Sequence, residues 1–332
     1  MKFKKIILII LAIAIILGII GVIVLGDRNK DKNIETNSKY KVVVSNFACY
    51  DFLRAIIGET NNIELVFLIG PGKDAHSYDP TAGDIIEIQN ADLFVYVGGE
   101  LEKWSDKIID SLDKDKTNVV RISDFVDTIE EKMVDGAEET EDDEKESLDE
   151  EHVHNSSAFD EHIWTSPENA VKMVYALEKE LEKIDSENID IYEENAEKYI
   201  IEIKKLDFQI RNIVDNKVRD RLVFADKMPM QYFMDYYNLK VSAAFDGCST
   251  ETEPSAKTIA YLQNLVKEEK IPVVLYIELN PGTVAKTIAE ETGSTAMQIQ
   301  TLHNVSLDDF NNGETWVSLM TRNIDVLKKA LD

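Results

Sequence analysis

From residue 40 onward, short runs rich in β-branched and aromatic residues alternate with longer amphipathic stretches. Residues 41–47, 63–69, 92–98 and 118–122 read as strands, with helices at 51–58, 81–89 and 100–112 between them. Such alternation predicts βαβ units and a mostly parallel sheet. A second set repeats the plan, with strands at 221–225, 239–245, 272–279 and 296–301. Its helices fall near 230–237, 255–270, 281–292 and 313–331. The pattern therefore predicts an α/β fold of two similar lobes, each built on a four-stranded, mostly parallel sheet.

A different period lies between the two sets. Ile189, Tyr192, Ala196, Tyr199, Ile203, Leu206, Ile210 and Ile213 recur at spacings of three and four, the stripe of one amphipathic helix. Neither proline nor glycine interrupts the stretch from Ile189 to Asp220. At 1.5 Å per residue the helix reaches about 40 Å. Its position predicts a rigid spine over 186–220, joining an N-terminal lobe (40–185) to a C-terminal lobe (221–332). A shorter helix precedes it, opened by Ser166 as cap with Pro167 in its first turn.

Two segments break the alternation. Lys2, Lys4 and Lys5 precede residues 6–26, which carry no charge. That run is longer than a signal-peptide core of about 7–15 apolar residues and matches the roughly 20 needed to span a bilayer. Residues 1–26 are thus expected to be a membrane anchor or signal sequence, with 27–39 as a polar tether. The preceding lysines put the remainder outside the membrane. The other segment, 130–151, holds 13 acidic residues against two lysines. It is predicted to form a disordered acidic loop, reaching about 158 and carrying His152 and His154.

Composition narrows the function. A hydrophobic share of 44% over 332 residues suffices for sizeable cores, and a net charge of −27 argues against nucleic-acid binding. Cys49 and Cys248 are the only cysteines. Outside the cytoplasm they form either a disulfide or two buried thiols.

The candidate chemistry rests on three of the five histidines. His76 follows the second strand, on a loop shaped by Gly70, Pro71 and Gly72. His303 follows the last strand, and His162 lies between the acidic loop and the capped helix. Ligands of open α/β sheets bind beyond the carboxyl ends of strands, so two facing lobes would gather these imidazoles in one cleft. A carboxylate is expected to complete the set, either Asp226 after the strand 221–225 or Glu278 at the end of 272–279. Asp79 and Asp160 are candidates for orienting the rings. Three nitrogens favour zinc; a second carboxylate would move the preference toward manganese.

Four stretches carry a resemblance: GPGKDAHSYDPT around His76, DEHIWTSPENA around His162, FADKMPMQYFMDYYNL around Asp226, and ETEPSAKTI after Cys248. Over nearly all of 40–332 the chain resembles the metal-binding extracytoplasmic subunits of ABC importers for zinc and manganese. That resemblance implies two α/β lobes on one rigid helix with the metal site in the cleft between them. It implies capture of zinc, with manganese as second choice, and delivery to an ABC permease and its ATPase. It implies no enzymatic activity, and the acidic histidine-bearing loop is similar to one in zinc members. Where many zinc members have a third histidine this chain has Asp226-Lys227, and near their usual C-terminal carboxylate it has His303. The implied ligands are His76, His162, His303 and Asp226, with Glu278 as the alternative fourth. A lipoprotein cysteine is missing, and the hydrophobic segment takes its place. A monomer on the extracytoplasmic face, anchored or secreted, is expected. The competing readings are a zinc-dependent hydrolase and a surface adhesin or scaffold with structural histidines.

Overall fold

The computed structural model describes residues 39–73, 75–137, 159–249 and 253–332. The expected anchor, the tether as far as residue 38, and the part of the acidic loop carrying His152 and His154 lie outside the described residues. In chain order the elements are β1 (Tyr40–Val44), α1 (Phe47–Ile57), β2 (Ile63–Phe67), α2 (Ala82–Gln89), β3 (Leu93–Tyr96), α3 (Trp104–Asp110), β4 (Asn118–Arg121), α4 (Pro167–Ile184) and α5 (Ile189–Asp215). The second half adds β5 (Arg221–Met228), α6 (Gln231–Tyr237), β6 (Lys240–Asp246), α7 (Ala256–Glu268), β7 (Val273–Ile277), α8 (Thr283–Thr292), β8 (Thr295–Ile299), α9 (Leu307–Asn311) and α10 (Trp316–Leu331). Among the described residues, no helix is long and apolar enough to cross a membrane.

The strands form two four-stranded sheets, ordered β2-β1-β3-β4 and β6-β5-β7-β8, and every pairing within them is parallel. Each sheet is covered on both faces, as parallel sheets require. Val42 and Val44 point into a core shared by both lobes and the spine, while Val43 joins a separate cluster with Phe94 and Ile108. The C-terminal lobe repeats this, with Phe224 in the shared core and Val223 and Ala225 packed against Leu262 and Ile288. The two-residue period of the strands thus sorts side chains between the two cores. The predicted stripe of α5 is buried from Tyr192 to Ile210, against α1, α4 and α10.

Several boundaries depart from the sequence expectation, each for a local reason. Helix α1 starts at Phe47, not residue 51, because the Asn46 side chain accepts the Cys49 amide at 3.1 Å. The predicted helix 100–112 splits into a single 3-10 turn (Glu100–Glu102) and α3. Glu102 turns its buried carboxylate back onto the amides of Val97 (2.6 Å) and Gly98 (2.8 Å). The spine ends at Asp215 instead of 220, since the amides of Val218 and Arg219 go to the Leu331 carbonyl, at 2.8 and 3.0 Å. Ser166 stands at the N-cap of α4 with Pro167 in its first turn, yet its hydroxyl makes no capping bond. Strand β5 runs on to Met228 with a register shift between Phe224 and Lys227, so Asp226 lies within the strand rather than after it.

The expected disorder of 130–158 is corrected for its first part. Residues 130–137 are laid across the C-terminal lobe. Gln231 donates to the Glu130 carbonyl (2.8 Å), the Val134 amide to Asp246 (2.7 Å), and the Ala243 amide to the Asp135 carbonyl (3.1 Å). The Asp135 carboxylate accepts from Arg221 (3.0 Å), Ser242 (3.0 Å) and Tyr261 (2.8 Å). Composition argues for disorder only when acidic groups find no donors, and here the second lobe supplies them. Cys49 and Cys248 are free thiols, so the disulfide alternative does not hold.

Candidate metal centre

His162 ends the loop that emerges beside the acidic segment, and its ring is fully buried. Asp160 accepts the His162 amide at 2.8 Å and faces Nδ1 of the ring at 3.1 Å. Its carboxylate therefore both shapes the loop and orients the imidazole through Nδ1. Burial works to lower the pKa of His162, but the negative charges of Asp160, Glu161 and Glu131 outweigh it and leave the ring above its ordinary value. Gly247 of the other lobe closes on this ring: a Cβ there would lie 3.3 Å from His162 Cε1 and 3.1 Å from the Met228 carbonyl oxygen.

His303 arrives from the opposite lobe on the turn after β8. The two rings stand 5.6 Å apart between centroids, tilted at 44°. Burial, and then the neighbouring charges of His162 and Lys227, hold His303 well below the usual imidazole range. A small cavity of about 20 Å³ lies beside His303, bounded also by Ser45, Glu102, Glu161, Trp164 and Asn304.

His76 stands in a single 3-10 turn, Ala75–Ser77; its side chain is outside what the structure describes. Asp226 is 5% exposed and accepts the amides of Lys227 (2.8 Å) and Ile277 (3.1 Å). Burial raises its pKa, and those amides oppose the rise. Glu278 has both oxygens engaged by the turn that carries His303. Asp79 is exposed. Among the described residues, the one group of three or more His, Cys, Asp or Glu with ligand atoms within 4.8 Å of one another is Glu178, Glu182 and Glu193. Lys179 fills that group, donating to all three carboxylates. The structure thus brings His162 and His303 together, while neither Asp226 nor Glu278 closes a three-ligand set with them.

Glu161 is the residue that sequence reasoning passed over, although it lies beside His162 in the quoted motif. Its carboxylate accepts the Leu101 amide at 3.0 Å and rests on Gly99 (φ 91), where any Cβ would overlap it. Burial pushes its pKa up to about 8, with Glu102 adding to the rise and the Leu101 amide and His162 opposing it. Between an ordinary carboxyl pKa and about 8, the folded metal-free protein holds a proton here that the unfolded chain releases. Stability therefore falls as pH rises from about 5 to about 8, by on the order of a few kcal/mol at about 1.4 kcal/mol per unit. The raised His162 acts in the same direction above its ordinary value. Glu161→Gln should flatten this slope in urea denaturation at pH 5, 6.5 and 8; parallel slopes for both proteins would contradict the assignment.

Comparison with known proteins places this geometry in context. The sequence profile of the family described as "Zinc-uptake complex component A periplasmic" matches residues 42–330. The zinc-binding lipoprotein AdcA of Streptococcus pneumoniae is 30% identical over 298 residues, covering 90% of this chain and 57% of that protein. This chain therefore spans little more than half the length of that relative. The high-affinity zinc uptake system protein ZnuA of Bacillus subtilis is 31% identical over 293 residues, with 88% of each chain covered. The crystal structure of the Zn(II)-bound ZnuA-like domain of the pneumococcal AdcA superposes with a TM-score of 0.72 at 27% identity, covering 89% of this chain and 100% of that one.

Proposed function

The chain belongs to the family of zinc-uptake complex component A, and on that premise we propose that it captures zinc outside the membrane and hands it to an ABC permease. The observation that carries this reading is the pair His162 and His303. They come from loops of the two lobes, meet at 5.6 Å between ring centroids, and one is oriented by a buried carboxylate. Imidazole nitrogens of this kind suit zinc, and a cleft between lobes suits a ligand that must be both enclosed and released.

The proposed nitrogen ligands are His76, His162 and His303, with Asp226 as fourth. Each Asp226 oxygen accepts one amide and keeps a further lone pair with which to meet a metal. Lys227 adds a buried positive charge on the same strand. While protonated it has no lone pair to offer a metal, and its charge works against a bound cation. The relatives named as lipoproteins support a position on the outer face of the membrane, held there by the N-terminal segment.

Isothermal titration of the full chain with zinc, manganese and calcium tests the proposal. One zinc should bind per chain at the histidine centre, more tightly than manganese, with calcium not competing for it. Absence of a tight stoichiometric zinc site would overturn the reading.

A further inference from the structure

Glu278 stands immediately after β7, is 6% exposed, and spends its whole carboxylate on one turn. Oε2 accepts the Thr301 amide at 2.8 Å; Oε1 accepts the Thr301 hydroxyl at 2.8 Å and the His303 amide at 2.9 Å. Between those two amides lies Leu302, whose side chain is fully buried and whose φ of 59° is left-handed. A non-glycine residue is disfavoured there, so the conformation persists only where surroundings over-determine it. One carboxyl group gathering the amides on both sides of Leu302 and the Thr301 hydroxyl does this, because it ties three donors of the turn to one side chain.

The same turn reaches the other lobe at two places. The Thr301 carbonyl accepts Nε1 of Trp164 at 3.0 Å, two residues beyond His162. The Asn304 side chain donates to the carbonyls of Gly70 (3.0 Å) and Lys73 (2.5 Å), and the Gly72 amide donates to the Val305 carbonyl at 2.8 Å. That glycine loop leads directly into the turn of His76. Residues 301–305 are therefore the piece of chain through which all three histidine loops are connected.

We propose that Glu278 is a positioning residue and not a ligand: it sets the turn at 301–305, presents His303, and through that turn aligns the His162 and His76 loops of the opposite lobe. The inference rests on the zinc-capture reading and deepens it. With the turn pre-set, the metal meets donors already in place; without it, binding must also order the loop.

The test compares the full chain with Glu278→Gln, measuring zinc affinity by competition against a chromogenic chelator and the visible d–d spectrum of the cobalt(II)-loaded protein. Glu278→Gln should bind zinc about 10–100-fold more weakly, the range for groups that orient ligands. Its cobalt spectrum at saturation should match the parent's, because the ligand atoms are the same. Unchanged affinity would overturn the proposal, and so would an altered cobalt spectrum, which would make Glu278 a ligand. Should that variant fail to fold, Thr301→Val removes the hydroxyl's bond to Oε1 and its longer contact with the His303 amide at 3.4 Å. It should weaken zinc about fivefold with an unaltered cobalt spectrum, and an unchanged affinity counts against the inference. If the parent itself binds no zinc, the capture reading fails; if parent and variant bind equally, only the role of Glu278 does.

Discussion

Replacing His162 and His303 together by alanine should abolish tight zinc binding, weakening it well beyond about 100-fold. Groups that only orient a ligand are worth about 10–100-fold, and here two donors are removed. Both rings sit where the lobes meet, 5.6 Å apart between centroids. Burial holds His303 below the usual imidazole range, which lessens the competition of protons with a metal. His162 is fixed by Asp160, which holds Nδ1 of its ring at 3.1 Å. Chelator competition at pH 7.5, with circular dichroism to establish that the variant is folded, reads the effect. A folded double variant that still takes up one zinc with the parent's affinity would place the site elsewhere.

Asp51→Ala lowers the stability of the metal-free protein by about 3–5 kcal/mol, the range for removing one member of a buried ionic group. Asp51 lies on α1, fully buried. Its Oδ2 accepts the Trp316 amide at 2.6 Å and the Tyr199 hydroxyl, while Oδ1 takes Arg54 at 2.5 Å. The Trp316 amide is an unfilled donor at the start of α10, and Tyr199 projects from the middle of the spine. Arg54 continues to the Glu314 carbonyl at 2.7 Å. One carboxylate therefore fastens a helix of the first lobe to the spine and to the last helix of the second. Removing it strands the Trp316 amide and takes the carboxylate from the Tyr199 hydroxyl in a packed interior, while the partly exposed Arg54 keeps the Glu314 carbonyl. Urea denaturation should show a lower midpoint with an unchanged slope; a loss below about 1 kcal/mol would mean these groups find water or other partners.

How far the sequence reached depended on distance along the chain. The stripe from Tyr192 to Ile210 was readable because helical period is a property of neighbouring residues, and the structure buries those positions. The strand order was not readable, and neither was the extension of β5 through Asp226, which follows from its pairing with β6. The acidic run at 130–137 misled for the same reason. Its composition describes a chain without partners, and its partners Arg221, Ser242 and Tyr261 come from the other lobe.

The histidine centre divides in the same way. The DEHIW stretch marked His162, and position after a strand marked His303, since local patterns of turn and strand residues are written in adjacent positions. The likeness to metal-binding importer subunits rested on those same stretches. Three features of the centre arise only when segments far apart in sequence are folded against each other. These are the approach of the two rings, the burial of Glu161 against Gly99, and the engagement of Glu278 with the turn at Thr301 and His303. A carboxylate has the same chemistry wherever it stands in a sequence. Whether it binds a metal, holds a proton or shapes a loop is decided by which amides the rest of the fold brings within about 3 Å of it.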